Sequence, residues 1–214
     1  SGQLQAALGS LEYVPTEDVI ERLRDVKDEE EIRTIREAAR ITDAAFTEVL
    51  NYIQPGVTER RIAAELEYQL RLAGAESGGF AFIVASGERS ALPHGLASDK
   101  EIGQNEFVTM DFGANVRGYL SDITRTVFVG NPSERHEELY AIVLEANMTT
   151  IAGLRPGMSG REGDRLGRDV IASYGYGEQF GHAQGAAFVI KHTGVIDNYP
   201  WLENNSNKRD GGIK

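Results

Sequence analysis

Met110-Asp111-Phe112-Gly113-Ala114-Asn115-Val116-Arg117-Gly118-Tyr119-Leu120-Ser121-Asp122-Ile123-Thr124-Arg125-Thr126 reads as a β-hairpin whose chain reverses between Asn115 and Gly118. β-Branched residues follow the reversal, and the Asn and Gly supply turn chemistry. With the reversal centred on Val116 and Arg117, Asp111 is expected directly opposite Asp122 on one face of the sheet. Opposed Cβ atoms in such pairs lie ~5 Å apart. Two carboxylates that close repel each other, and a proton or a cation between them relieves the repulsion. Dinuclear centres hold their metals ~3.5–4 Å apart, a span that two facing carboxylates bridge. The competing reading is a solvated pair of surface carboxylates. The apolar approach Phe107-Val108-Thr109-Met110 argues for burial instead, and Asp is poorly suited to strand interiors.

Outward from the hairpin, the pattern alternates between helical and strand periods. Ile32, Ile35, Ala39, Ala45, Phe46, Val49, Leu50 and Ile53 recur at three- and four-residue steps, which predicts an amphipathic helix from about Asp28 to Ile53. Asp28 is its expected N-cap, and Glu29, Glu30 and Glu31 suit the positive end of the helix dipole. Pro55-Gly56 stops it. Thr58 opens a second helix with apolar positions Ile62, Leu66, Leu70 and Leu72. Strand-like runs follow at Phe80 to Ala85, Phe107 to Ala114 and Tyr119 to Val129. A third helix is expected after Ser133, with Leu139, Ile142, Val143, Leu144, Met148 and Ile151. Ser159 and Glu162 have capping-box spacing for a fourth. Gln54-Pro55-Gly56-Val57-Thr58 reappears as Arg155-Pro156-Gly157-Met158-Ser159, each time joining a long helix to a capped one. This order reads as a duplication, in which the second set of strands, after the fourth helix, must be shorter than the first.

The 214-residue chain has a net charge of -11. That balance disfavours nucleic acid and anionic membranes as partners. It has no cysteine, so disulfides, thiolate zinc sites and cysteine nucleophiles are excluded. A reducing cytoplasm fits that composition. No apolar run approaches a membrane span, and no signal peptide is visible. Residues 1–14 are expected to be a tag remnant or a linker from a missing N-terminal domain, 15–203 a single catalytic-type domain, and 204–214 a disordered tail.

The hairpin, together with Leu23-Arg24-Asp25-Val26-Lys27-Asp28-Glu29-Glu30-Glu31-Ile32, Ile83-Val84-Ala85-Ser86-Gly87 and Ser90-Ala91-Leu92-Pro93-His94-Gly95, resembles the Xaa-Pro aminopeptidase and Xaa-Pro dipeptidase group of pita-bread metallopeptidases. Methionine aminopeptidases and creatinase share that fold. The resemblance implies an α+β fold with duplicated helix-helix-strand halves around a curved, mostly antiparallel sheet. It implies Asp111 and Asp122 as ligands of two divalent metal ions, manganese, cobalt or zinc. His94 would lie at the substrate pocket, and His182 would handle substrate or a proton. The implied reaction is metal-assisted hydrolysis of the peptide bond before proline in a proline-containing peptide.

The likeness departs from the family pattern near the end of the chain. Position 186, where the family carries a metal-ligand histidine, is Ala186, and Glu203 matches neither later glutamate motif. Three of the five expected ligands therefore have no counterpart, and the second half of the fold is expected to be incomplete. Two carboxylates alone hold a cation weakly, since affinity follows ligand number and charge. An active peptidase and a metal-deficient relative that binds peptide without cutting it both stand as readings. Exposed apolar surface on an incomplete fold favours a homodimer. His136 is expected on the surface, and His192 has no assigned role.

Overall fold

The computed structural model describes residues 16–92 and 94–180. A short helix α1 (Val19–Asp25) leads into α2 (Glu29–Val49), and a single 3-10 turn, Leu50–Tyr52, follows. The cap of α2 is the one the sequence predicts. Asp28 Oδ1 accepts from the backbone N–H groups of Glu30 and Glu31, at 2.8 and 2.9 Å, and Asp28 N donates to Glu31 Oε2 at 2.7 Å. Three orphan donors of the first turn are thereby satisfied. Helix α3 (Glu59–Leu72) begins at the Thr58 cap and packs against α2.

Six short strands follow: β1 (Ser77–Gly78), β2 (Ile83–Ser86), β3 (Glu106–Phe112), β4 (Ala114–Val116), β5 (Tyr119–Leu120) and β6 (Ile123–Val129). They form two antiparallel three-stranded sheets, ordered β1-β4-β5 and β2-β3-β6. The expected run from Phe80 to Ala85 is displaced: the strand occupies Ile83–Ser86. The expected run from Phe107 to Ala114 is split at Gly113.

The core lies between the sheets and the first helix pair. Val108, Met110 and Phe112 of β3, with Ala114, Val116 and Ile123, meet Ala38, Ile41, Ala45 and Val49 of α2 and Ile62, Leu66 and Leu70 of α3. Strand alternation sends these residues to one face, so Asp111 points to the other. Leu72, expected on the apolar stripe, is 65% exposed because it stands about 200° round the helix from Leu70, on the side away from Ile62 and Leu66.

Helices α4 (Glu134–Gly153) and α5 (Gly160–Ser173) repeat the first pair. Gly56 and Gly157 adopt the same left-handed conformation, φ 86° and 87°, just before caps in which Thr58 and Ser159 each accept from a backbone N–H three residues on. α4 and α5 approach closely, for a Cβ on Gly167 would meet Thr150 Oγ1 at 2.7 Å. Of the six apolar residues read on α4 from the sequence, Ile142 alone is buried, and Val143, Leu144 and Met148 are exposed. The helix is apolar around most of its circumference, and among the described residues α5 covers one side of it. His136, expected to be a solvated surface residue, is half-buried. Its ring caps α4 through Ser133 and packs on Phe107 and Phe128, with centroids at 5.4 and 4.8 Å. The expected later strands, the segments 1–14 and 204–214, and positions 182, 186, 192 and 203 lie outside the described residues.

Candidate metal centre

The hairpin forms, but with another register than the one expected. Asp111 pairs with Thr124, not with Asp122, and Phe112 pairs with Ile123. The tight turn is Arg117-Gly118, with φ of 51° and 83°, the pair of left-handed residues that a two-residue hairpin turn demands. Asn115 Oδ1 accepts from Gly118 N at 3.0 Å, and Arg117 Nη2 donates to Thr34 Oγ1 on α2 at 2.9 Å. The turn is thereby moved one residue along the chain, and each partner of β3 by two.

A shift of two preserves the side of the sheet on which every side chain stands, whereas a shift of one would reverse it. Asp122 therefore stays on the face of Asp111, as a diagonal neighbour instead of a direct one, and such neighbours lie about 7–8 Å apart. The flanking residues agree. Ser121 bonds to Thr42 on the helix side, and Ile123 is in the core, so Asp122 between them points away from the helices. Asp111 is 6% exposed. One oxygen of each carboxylate, Asp111 Oδ1 and Asp122 Oδ1, is buried and accepts no hydrogen bond from the protein, although neither residue is without other interactions.

Two features hold this crossing in place. The backbone approaches so closely at Gly113 that a Cβ there would sit 1.8 Å from the Ser121 carbonyl oxygen. Ala114 N donates to Ser121 Oγ at 2.9 Å, Ser121 Oγ hydrogen-bonds Thr42 Oγ1, and Thr42 Oγ1 also donates to the Ala38 carbonyl at 2.9 Å. Thr42 and Ser121 thus tie the segment carrying Asp122 to α2. Sequence reasoning passed over both, because a threonine inside a helix and a serine beside an aspartate carry no distinctive pattern.

His94 is exposed, in the connection between β2 and β3. Ile83 bridges to Leu96 on one side and pairs with Asp111 on the other. With adjacent strands ~4.8 Å apart, the loop of His94 runs about 10 Å from the backbone of Asp111. His182 lies outside the described residues. Among the described residues, no cluster of three or more His, Asp or Glu side chains suited to a metal ion occurs. The two carboxylates fit part of a hard-cation centre: both stand on one face, and Oδ1 of each is buried without a hydrogen bond from the protein.

Glu59 is the charged group that sequence reading missed most completely. It is fully buried at the first position of α3, where an acidic residue reads as an ordinary dipole partner. Burial alone would raise its pKa, but the hydrogen bonds from Ser98 and Ser86 outweigh that and hold the carboxyl below the usual glutamate range.

The sequence matches the profile of metallopeptidase family M24 across residues 33–209. It is 45% identical over 174 residues to an Xaa-Pro dipeptidase of Pyrococcus horikoshii, covering 81% of this chain and 50% of that protein. An uncharacterized peptidase of Bacillus subtilis, YqhT, is 49% identical over 180 residues, covering 84% of this chain and 51% of the relative. Among solved structures, an Xaa-Pro dipeptidase from Bacillus anthracis superposes with a TM-score of 0.79 at 52% identity, covering 81% of this chain and 49% of that one. An X-Pro aminopeptidase from Thermotoga maritima gives 0.79 at 42% identity, with coverages of 83% and 50%. The chain spans about half the length of the relatives it matches.

Proposed function

Because the chain belongs to metallopeptidase family M24, we propose that it supplies the catalytic half of an Xaa-Pro peptidase, which hydrolyses the peptide bond before proline at a peptide N-terminus. The observation that carries the reading is the placement of Asp111 and Asp122 on one sheet face, each with a buried oxygen. In this proposal the two carboxylates hold divalent metal, manganese being the ion that hard oxygen donors suit best, with cobalt and zinc as alternatives. When bound, such metal supplies Lewis-acid polarisation of the scissile carbonyl and acidifies water. Asp111 and Asp122 contribute fixed negative charge on a strand pair whose crossing Gly113 and Ser121 hold rigid. His94 contributes a hydrogen-bonding group at the rim for the peptide, and His182 contributes a second histidine for substrate or a proton.

A metal-poor peptide-binding relative is the second reading, favoured by Ala186 at the position of an expected ligand. Hydrolysis of an Xaa-Pro dipeptide with added manganese separates the two. The hydrolase reading requires turnover in the wild type and its loss in Asp111→Ala. Retained turnover in that variant, or none in the wild type, contradicts it. The proposal places the protein in the cytoplasm, in keeping with the absence of cysteine. Among the described residues no helix is long and apolar enough to cross a membrane. It also assigns a homodimer, supported by the exposed Tyr140, Val143, Leu144 and Met148 of α4, and its mass in solution is the test.

A further inference from the structure

The β2–β3 connection is anchored in the core at Ile102, but the part of it that carries His94, residues 87–96, has little apolar anchorage. Its two leucines, Leu92 and Leu96, are more than half exposed, at 51% and 56%. A polar anchor takes their place, and it converges on one buried carboxylate from another element. Glu59 Oε1 accepts from Ser86 N at 2.8 Å and Ser86 Oγ at 3.0 Å, where the loop begins. Its Oε2 accepts from Ser98 N at 3.1 Å and Ser98 Oγ at 2.6 Å, where the loop returns. Arg89, inside the loop, donates to Glu59 Oε2 at 3.1 Å, and its Nη2 donates to the Leu96 carbonyl at 2.7 Å. Lys100 Nζ then links Ser86 Oγ to Glu106 Oε1, both at 2.8 Å.

We infer that Glu59 is a positioning residue, which holds the His94 loop in register with the strand of Asp111 through Ser86, Arg89 and Ser98. The inference rests on the reading of His94 as part of the substrate pocket. The chemistry explains why a charge is used. Two backbone N–H groups, two hydroxyls and a guanidinium all need an acceptor at one buried point. A carboxylate offers about four lone-pair sites and a negative charge to these donors, which share its two oxygens, whereas an amide or an apolar side chain leaves more of them unmet. Ile83, which pairs with Asp111 and bridges to Leu96, then passes the loop's position to the carboxylate face.

Glu59→Gln and the milder Ser98→Ala, made in the full chain, test this, with Ser98→Ala carrying the test if Glu59→Gln does not fold. Hydrogen exchange is measured for the loop at 87–98 and for the hairpin at 106–129. Manganese-supplemented hydrolysis of Ala-Pro gives KM and kcat. Loss of a hydrogen bond to a charged group is expected to speed loop exchange about 10-fold in either variant while the hairpin is unchanged. KM is expected to rise by about the same factor, with kcat changing less. Unchanged loop exchange overturns the inference, and so does faster loop exchange with KM unaltered or exchange that rises equally across the hairpin. Those outcomes leave the hydrolase reading standing, whereas a wild type without turnover removes that reading itself.

Discussion

Gly113 shows how one residue fixes the geometry of the candidate centre. An added Cβ would stand 1.8 Å from the Ser121 carbonyl oxygen and 2.7 Å from its carbon, and these two nearest atoms are backbone. No rotamer change relieves that contact, so the strands must part and the pair Asp111 and Asp122 must separate with them. Gly113→Ala is expected to destabilise the protein by about 3 kcal/mol or more, at the upper end of overpacking effects. Gly118→Ala meets no atom within 4 Å but keeps a φ of 83°, and is expected to cost about 1 kcal/mol. Urea denaturation of both variants checks the order. That Asp111 and Asp122 share one face of the sheet was legible in the sequence, because parity survives a two-residue slip, but their direct opposition was not, for Asp111 pairs with Thr124. The register was not, since Arg117 at positive φ is uncommon for a residue with a side chain. Its bonds to Thr34 and Glu37, far away in sequence, stabilise that conformation.

At the scale of elements, helices were read more accurately than strands. The caps at Asp28, Thr58, Ser133 and Ser159 are local chemistry, and each is where the sequence put it. The stripe of α3 was legible as far as Leu70 and misjudged at Leu72. Leu66→Ala is therefore expected to cost about 2–5 kcal/mol through its cavity, and Leu72→Ala to stay within about 0.5 kcal/mol of the wild type. Thermal or urea unfolding distinguishes them. The network joining α3 to the β2–β3 loop was invisible, because its members are scattered from Glu59 to Glu106. It has a pH signature. Glu59 and Glu106 both have carboxyl pKa values lowered in the folded protein; burial opposes this, and the bonds from Ser98 and Ser86 to one and from Lys100 and Gly103 to the other outweigh it. A lowered carboxyl contributes stability that is present above its unfolded pKa and is lost as pH falls through the folded value. The stability of Glu59→Gln should thus fall less steeply than that of the wild type below about pH 4.5, as followed by urea midpoints across the acid range. Equal slopes would remove Glu59 from the acid transition.

At the largest scale, two helix pairs with matching turns and caps repeat one unit, and the first pair covers the sheets that carry Asp111 in β3 and flank Asp122 between β5 and β6. The duplication was legible from its Pro-Gly punctuation, which sets backbone conformation locally. How far the second unit is buried was not legible, since α4 is apolar on several sides and periodicity cannot say which side is covered. The proposed chemistry depends on two carboxylates that the fold brings to one face. Titration calorimetry of metal-stripped protein with manganese tests that dependence most directly. Binding by the wild type, lost in both Asp111→Asn and Asp122→Asn while their folds persist by circular dichroism, is the result expected. Manganese bound with the same affinity by all three proteins, or by none, would contradict it.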